Sequence, residues 1–454
     1  MSRKIHVVGA GLVGPLMSIY LAKKGFDVTL YERRADMRKS SVERGRSINL
    51  AITARGWRAL ADVGLKDKVS QISIPMKGRM IHDIEGKTNL QPYGQTDAEV
   101  IYSASRSLLN IMLMDAAEEH KNLKIIFGKR CTHYDIDKST LTLAGDDGAE
   151  EKVKAETVIA ADGAWSAVRK SMQSALPGFD YSESFLEYGY KELVIPAAAE
   201  GAFRIEKNAL HIWPRKSFMM IALPNTEGDF TATLFYPEDG LKAMTTPSAV
   251  TALFEREFPD AVPQMPNLTR DFLENPVGSL VTVKCAPWHC GGNAGGKAVL
   301  IGDAAHAIVP FFAQGMNSGF EDCTALDSLI TDDNPDWESV FTKFGALRKP
   351  NADAIADMAV ENFVEMRDSV TDPQFILRKK VGFELEKRWP GKFIPRYSMV
   401  IFHPEIPYAE AKRRGALQDI ILEKLCTGIA APEQVNWDEA EKLVTRFHNA
   451  NPFT

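Results

Sequence analysis

Apolar residues recur along this chain in two periods, and the points where the period changes mark out its elements. Short unbroken apolar runs at residues 5–9 and 28–32 predict buried strands, and the apolar stretch from about Gly14 to Lys24 predicts a helix between them. Strand, helix and strand in that order open a doubly wound sheet. Residues 72–104 predict further strands, punctuated by the turn signals Glu85-Gly86-Lys87 and Pro92-Tyr93-Gly94. A helix is predicted from Leu108 to His120, then strands from Lys124 to Phe127 and from Val158 to Ala161. From about 182 to 284 alternation dominates, as in Ala209-Leu210-His211-Ile212-Trp213, Phe218 to Leu223 and Phe230 to Phe235. That pattern predicts an antiparallel sheet. The α/β character returns at Ala298 to Asp303, and beyond 320 the chain reads as mostly helical.

The two patterns alternate, so two folding units interleave in sequence. The expected fold is α/β (α+β overall). A Rossmann-like dinucleotide-binding domain takes residues 1–71, 100–181 and 285–370, and an antiparallel-sheet substrate domain takes 72–99 and 182–284. A helical C-terminal region follows at 371–454. A length of 454 residues suits two or three domains of ~100–200 residues each. The net charge of -6, with Lys and Arg scattered, argues against a nucleic-acid partner. Five cysteines make no secreted-type framework. Cys285 and Cys290, with His289 between them, lack a second ligand pair at zinc spacing, so no metal is expected. Met1-Ser2-Arg3-Lys4 runs straight into a strand, and no stretch reaches the ~20 apolar residues of a membrane span. The longest candidate, Ala298 to Ala313, is broken by Asp303 and His306. A cytoplasmic location without a membrane partner is expected.

Gly9-Ala10-Gly11-Leu12-Val13-Gly14 follows the first strand and opens the first helix. Gly9 permits the tight turn, Gly11 lets a pyrophosphate approach the backbone, and Gly14 packs helix on strand. The helix N-terminus offers N–H groups and a positive dipole end to phosphates. Glu32, at the end of the next strand, suits the ribose hydroxyls of an adenosine and repels the 2′-phosphate of NADP. FAD and NAD remain open at this point.

Two later motifs decide between them. The first is Ala160-Ala161-Asp162-Gly163-Ala164-Trp165-Ser166, with Val168-Arg169 after it. The second is Val299-Leu300-Ile301-Gly302-Asp303-Ala304-Ala305-His306, running through Pro310 to Gln314-Gly315-Met316-Asn317. With the glycine loop, these resemble the three fingerprints of flavoprotein aromatic hydroxylases of the hydroxybenzoate hydroxylase type. The resemblance implies non-covalent FAD, with Asp303 on the ribityl hydroxyls and Arg106 as a phosphate partner. Val13, Tyr31, Glu32, Arg33, Arg34, Ala51, Cys131 and Asp162 fall at its flavin-contacting positions, Cys131 and Ala51 through their backbone. It also implies that the helix from Gly315 aims its N-terminus at the flavin pyrimidine ring, with N–H groups of Met316 and Asn317 meeting charge on reduced flavin.

A closer resemblance lies in Arg44-Gly45-Arg46-Ser47-Ile48-Asn49-Leu50-Ala51, Gly78-Arg79-Met80-Ile81-His82, Leu210-His211-Ile212-Trp213-Pro214 and Met220-Ile221-Ala222-Leu223-Pro224-Asn225. Val309-Pro310-Phe311-Phe312, Glu361-Asn362-Phe363-Val364-Glu365-Met366 and Phe393-Ile394-Pro395-Arg396-Tyr397-Ser398-Met399-Val400 extend it. These segments resemble the kynurenine 3-monooxygenase family over residues 5 to about 410. The resemblance implies hydroxylation of L-kynurenine by NADPH and O2 in tryptophan degradation, with NADPH bound transiently at the surface. It implies a pocket in which Arg79 pairs with the substrate carboxylate, helped by Tyr93, Tyr397 and Asn362. Phe235, Phe311, Phe312, Ile221 and Met366 would line the ring side, and Asn362 and Met366, four apart on a helix, share a face. No residue identifies itself as a general base. The chain departs from the family's eukaryotic members, whose apolar C-terminal segments attach them to a membrane, because its own tail reads as amphipathic helices. Three alternatives stand beside this reading: a hydroxylase of another aromatic acid, a flavin dehydrogenase, and a non-enzymatic escort of the same fold. Asp303 and the Gly315-Met316-Asn317 turn speak against the last.

Overall fold

The computed structural model describes residues 3–39, 49–291, 295–369 and 372–452. The family-like stretch from Arg44 to Ile48 therefore lies outside the described residues. Backbone contacts divide the chain into two compact units. The first holds residues 1–74, 102–188 and 278–359, and the second holds 75–101, 189–277 and 360–454. The helices from 371 onward are thus grouped with the second unit.

In the first unit, a six-stranded sheet runs His289–Gly291, Lys297–Leu300, Thr157–Ala160, Lys4–Val8, Asp27–Tyr31 and Leu123–Ile126. All neighbours are parallel except the first pair. The inner strands are buried almost throughout, which explains why they read as unbroken apolar runs rather than alternations. Helix Val13–Lys23 is apolar all round and buries every residue from Gly14 to Ala22. Its approach to the sheet is set by glycine. Gly9 has a φ of +98°, and a Cβ on Gly14 would overlap the Gly9 carbonyl oxygen.

In the second unit, neighbouring strands follow the order Phe230–Pro237, Met219–Pro224, Ala209–Pro214, Gly78–His82 and Thr88–Pro92. Only Ala209–Pro214 and Gly78–His82 run parallel. Register assigns the faces, because paired residues project the same way and neighbours along a strand project oppositely. Arg79, Ile81, Ile212, Ile221, Thr233 and Phe235 share one face. The other face carries Trp213, Met220, Ala222, Ala232 and Leu234 into a core with Val250, Leu253, Phe254, Phe258 and Phe272.

That core corrects the sequence reading. Residues 182–284 are not all sheet, since Glu238–Ala243, Pro247–Glu257 and Leu268–Glu274 are helices. Thr246 caps the second of them by accepting from the Ala249 N–H, Pro247 fills its first turn, and Val250, Leu253 and Phe254 form its buried stripe. The C-terminal helices Pro373–Arg388, Tyr408–Cys426 and Trp437–Ala450 close on Leu377, Val381, Leu385, Ile421, Leu425, Val444 and Phe447. Among the described residues no helix is long and apolar enough to cross a membrane. All five cysteines are free and buried.

Gly14→Ala should lower thermal stability, since forcing a methyl against backbone costs about 1–3 kcal/mol. A Cβ on Gly11 meets nothing within 4 Å, so Gly11→Ala should melt close to the parent. Equal melting temperatures for the two variants would show that the Gly9–Gly14 contact does not set the packing.

Candidate active site

The glycine loop, the residues after strand Asp27–Tyr31 and the turn after strand Thr157–Ala160 meet at a cleft of about 520 Å³ in the first unit. Gly9, Gly11 and Tyr31 line it, with Glu32, Arg33 and Arg34 beside them. Arg106, Cys131 and Asp162 complete the sequence-predicted residues found there. Helix Val13–Lys23 starts at Leu12 without a side-chain cap, which leaves its first N–H groups for an anion. Glu32 accepts from the Ala10 N–H at 2.8 Å and from the Arg34 N–H and Nε at 3.0 and 2.8 Å. Burial works to raise its carboxyl, and the Arg34 contacts outweigh it and hold the group below the usual range. Asp162 Oδ2 accepts from the Ala167 N–H at 2.8 Å, while its Oδ1 is buried without a hydrogen-bond partner. Burial raises this carboxyl. The Cys131 thiol is pushed up to about 12 by burial, so it acts as an apolar wall rather than a nucleophile.

These residues fit a dinucleotide cofactor. The cleft couples a close-approach backbone, a ribose-seeking carboxylate, an orphaned acceptor and several cations. Lys129, Arg130, Thr132 and Lys170 also line it and escaped the sequence reading, and Trp165 of the Asp-Gly motif joins them. Charges such as Lys129 and Arg130, on or beside an exposed antiparallel ribbon, look like an ordinary solvated edge.

Val13 and Gly14 do not line the cleft, and neither do Ala51, Asp303, Gly315, Met316 and Asn317. Val13 packs under the left-handed turn at Gly302, where φ is +57°. Asp303 is exposed at the start of the short helix Asp303–His306. Asn317 binds through its side chain, donating to the carbonyls of Ala51 at 2.8 Å and Ala313 at 2.7 Å and accepting from the Thr53 N–H at 3.0 Å. Helix Gly315–Leu329 also begins without a side-chain cap, and Met316 is buried in its first turn. Phe311 and Phe312 are buried in a 3-10 turn before Ala313, which is left-handed at φ +53°.

Asp322, fully buried, meets the segment from Gly302 to His306. Its Oδ2 accepts from the Gly302 N–H at 2.8 Å and from His306 Nε2 at 2.6 Å, and its Oδ1 accepts from Arg348 Nε at 2.8 Å. Arg348 Nη1 reaches Glu321 at 2.6 Å, and Glu321 pairs in turn with the buried Arg55. Burial alone would raise the Asp322 carboxyl, and the His306 and Arg348 charges overcome it and hold it low.

The second unit gathers a separate set. Arg79 is only 4% exposed, and its Nε has no hydrogen-bond partner. Its Nη1 lies 3.3 Å from Glu365, and its guanidinium sits 5.0 Å from the Tyr397 ring and 5.9 Å from that of Tyr93. The two tyrosines stack at 5.7 Å and 8°. Burial raises both phenols, Tyr397 to about 12 against the opposing charge of Arg79, so both stay protonated near neutrality. Asn362 Nδ2 lies 3.4 Å from Met366 Sδ. The helix expected to carry both ends at Val364, and Met366 falls in the π-turn Glu365–Ser369. Ile221 and Phe235 share the Arg79 face of the sheet. Glu365 and Lys379 were not foreseen. The Lys379 ammonium is pushed down to about 7, first by burial and then by Arg79.

Comparison with known proteins gives the same picture. Residues 3–332 match the family model described as an FAD binding domain. The kynurenine 3-monooxygenase of Myxococcus xanthus is 50% identical over 97% of this chain and 94% of its own length. That of Dictyostelium discoideum is 44% identical over 99% of both. Among solved structures, a tetrameric 2-methyl-3-hydroxypyridine-5-carboxylic acid oxygenase superposes with a TM-score of 0.66 at 21% identity, covering 85% of this chain and 98% of that one. The p-nitrophenol 4-monooxygenase of Pseudomonas putida gives 0.65 at 18% identity, covering 85% and 94%. At such identities these two show the fold alone.

Asp322→Ala strands the buried Arg348 cation and removes the acceptor of His306 Nε2, a loss of about 3–5 kcal/mol that chemical denaturation should register. Because the native carboxyl is held low, its stabilisation is present at neutral pH and lost as pH falls through the native value. The stability gap between parent and Asp322→Ala should therefore close on acidification. A gap independent of pH would assign the effect to packing.

Proposed function

The chain belongs to the kynurenine 3-monooxygenase family, and on that premise we propose that Arg79, Tyr93, Asn362 and Tyr397 hold the amino-acid head of L-kynurenine while its ring is hydroxylated to 3-hydroxykynurenine. The observation that carries this reading is a buried guanidinium with an unpartnered Nε, packed against two stacked and neutral phenols. Such a guanidinium meets a carboxylate through parallel hydrogen bonds. The phenols and the Asn362 amide add neutral donors. Ile221, Phe235 and Met366 supply an apolar wall that excludes water from the ring.

The cofactor is FAD and the co-substrate NADPH. Bound flavin supplies the redox chemistry, taking electrons from NADPH and activating O2. Glu32 would take the adenosine ribose, while Arg106 and the first helix N-terminus would take the pyrophosphate. Asp162 and Asp303 would hold hydroxyls of the linking chain, and the N–H groups of Met316 and Asn317 would offer donors to negative charge on the flavin. Gly9, Gly11 and Gly14 would let the backbone come close, with Val13, Tyr31, Arg33, Arg34, Ala51 and Cys131 as further contacts. The substrate's own aniline nitrogen feeds electrons into the ring and activates the neighbouring carbon, so the protein's part is orientation and exclusion of water. The proposed location is the cytoplasm, whose reducing conditions suit five free buried cysteines.

The purified protein should consume NADPH and O2 when given L-kynurenine and release 3-hydroxykynurenine, identified by mass and chromatography. Absence of that product would end this reading. Arg79→Met should keep the flavin spectrum and lose about a hundredfold or more in kcat/KM, mainly through KM, since breaking a buried pair on one side costs about 3–5 kcal/mol. An unchanged KM would place the carboxylate elsewhere. Asp303→Ala should weaken FAD retention by about tenfold to a hundredfold, the value of a charge-assisted hydrogen bond of about 1.5–3 kcal/mol. Because Asp303 is exposed, the melting temperature of the cofactor-free protein should not move.

A further inference from the structure

The sheet face turned away from Arg79 carries a polar chain that hydroxylation leaves unused. His82 and His211 are both buried. His82 Nδ1 lies 2.6 Å from Asp260 Oδ2, His82 Nε2 lies 2.8 Å from His211 Nδ1, and His211 Nε2 lies 2.7 Å from the Glu206 carbonyl oxygen. Trp213 Nε1–H donates to the two Asp260 oxygens at 3.1 and 3.0 Å, and its ring stacks on His82 at 4.1 Å. Arg215 closes the group, donating to the carbonyls of His82 at 3.1 Å, Asp83 at 3.2 Å and Glu257. The Asp83 carboxylate is engaged in its own turn, accepting from the N–H groups of Glu85 and Lys87.

The ends of this chain of hydrogen bonds set its direction. A carbonyl only accepts, so His211 Nε2 bears a hydrogen. Burial pushes the His211 imidazole down to about 4, so its Nδ1 is bare and accepts from His82 Nε2–H. Burial also works to raise the Asp260 carboxyl, but the hydrogen bonds from His82 and Trp213 outweigh it and hold it low. The His82 ring is thus held from both sides, by Asp260 at one nitrogen and by His211 at the other.

We propose that the hydrogen-bonded pair of His82 and Asp260 is the positioning device that presents Arg79 to the substrate. His82 and Arg79 sit three apart on the five-residue strand Gly78–His82 and project to opposite faces. Slipping that strand by one residue would turn Arg79 off its face altogether. The His82 ring anchors the strand from behind, tied to Asp260 beyond helix Pro247–Glu257 and to the neighbouring strand through His211. The inference rests on Arg79 as the carboxylate partner.

The test uses the holoenzyme with Asp260→Ala, Asp260→Asn and Arg79→Met in parallel. Asp260→Ala should raise KM for L-kynurenine about tenfold with kcat changed by no more than about twofold. An asparagine can still hydrogen-bond the His82 ring and accept from Trp213, so Asp260→Asn should restore KM to within about twofold. Equal damage in the Ala and Asn variants would overturn the proposal, as would an unchanged KM in Asp260→Ala while Arg79→Met raises it. If Arg79→Met itself leaves KM unchanged, the reading of Arg79 has failed and the positioning role falls with it.

Discussion

A carboxylate with no exposed surface must be met on every side, and in the first unit that requirement falls on Asp322. It binds the Gly302 N–H at the end of one strand, His306 one turn later and Arg348 on the long helix Trp337–Val364. Through Arg348, Glu321 and Arg55 the same network ties in helix Ala54–Asp62. The backbone that presents Asp303, and the helix that follows it, are therefore fixed by one buried charge rather than by apolar packing alone. Apolar residues of equal volume would often be as stable. What the charge adds is a definite arrangement of donors around its two oxygens.

The two proposed ligand regions show the opposite condition, incomplete satisfaction. Asp162 Oδ1 in the first unit and Arg79 Nε in the second are both buried and unpartnered. Each such atom costs about 1–3 kcal/mol in the folded chain. A fold tolerates that cost where a ligand supplies the missing partner, as the proposed cofactor and substrate carboxylate would. Where the chain completes its own hydrogen bonds, as around Asp260, it builds scaffolding instead.

Much of this was legible in the sequence because it is local. The first strand, helix and strand, the Asp-Gly and Gly-Asp turns and the Gly315 helix each announce themselves within about a dozen residues, where period and glycine placement carry the signal. The segment from 238 to 274 was misread because its helices are short and their apolar stripe resembles alternation over a few residues. Asn317 was read for its backbone N–H, yet its side chain joins three segments of chain, a role visible only once Ala51 and Thr53 lie beside it. Glu365, Lys379, Asp322 and Arg348 share one reason for escaping notice. A charge within a helix reads as a solvated face until the fold brings its partner from far along the chain.

The five cysteines have a consequence of their own. Every flavoprotein that activates O2 meets hydrogen peroxide whenever the reduced oxygen escapes before reaching the substrate. Peroxide attacks thiolates, not thiols. Here burial raises every one of the five thiols, Cys131, Cys285 and Cys290 to about 12 and Cys323 well above its ordinary value, with Cys426 also raised. The chain thus offers peroxide almost no ionised sulfur near neutral pH.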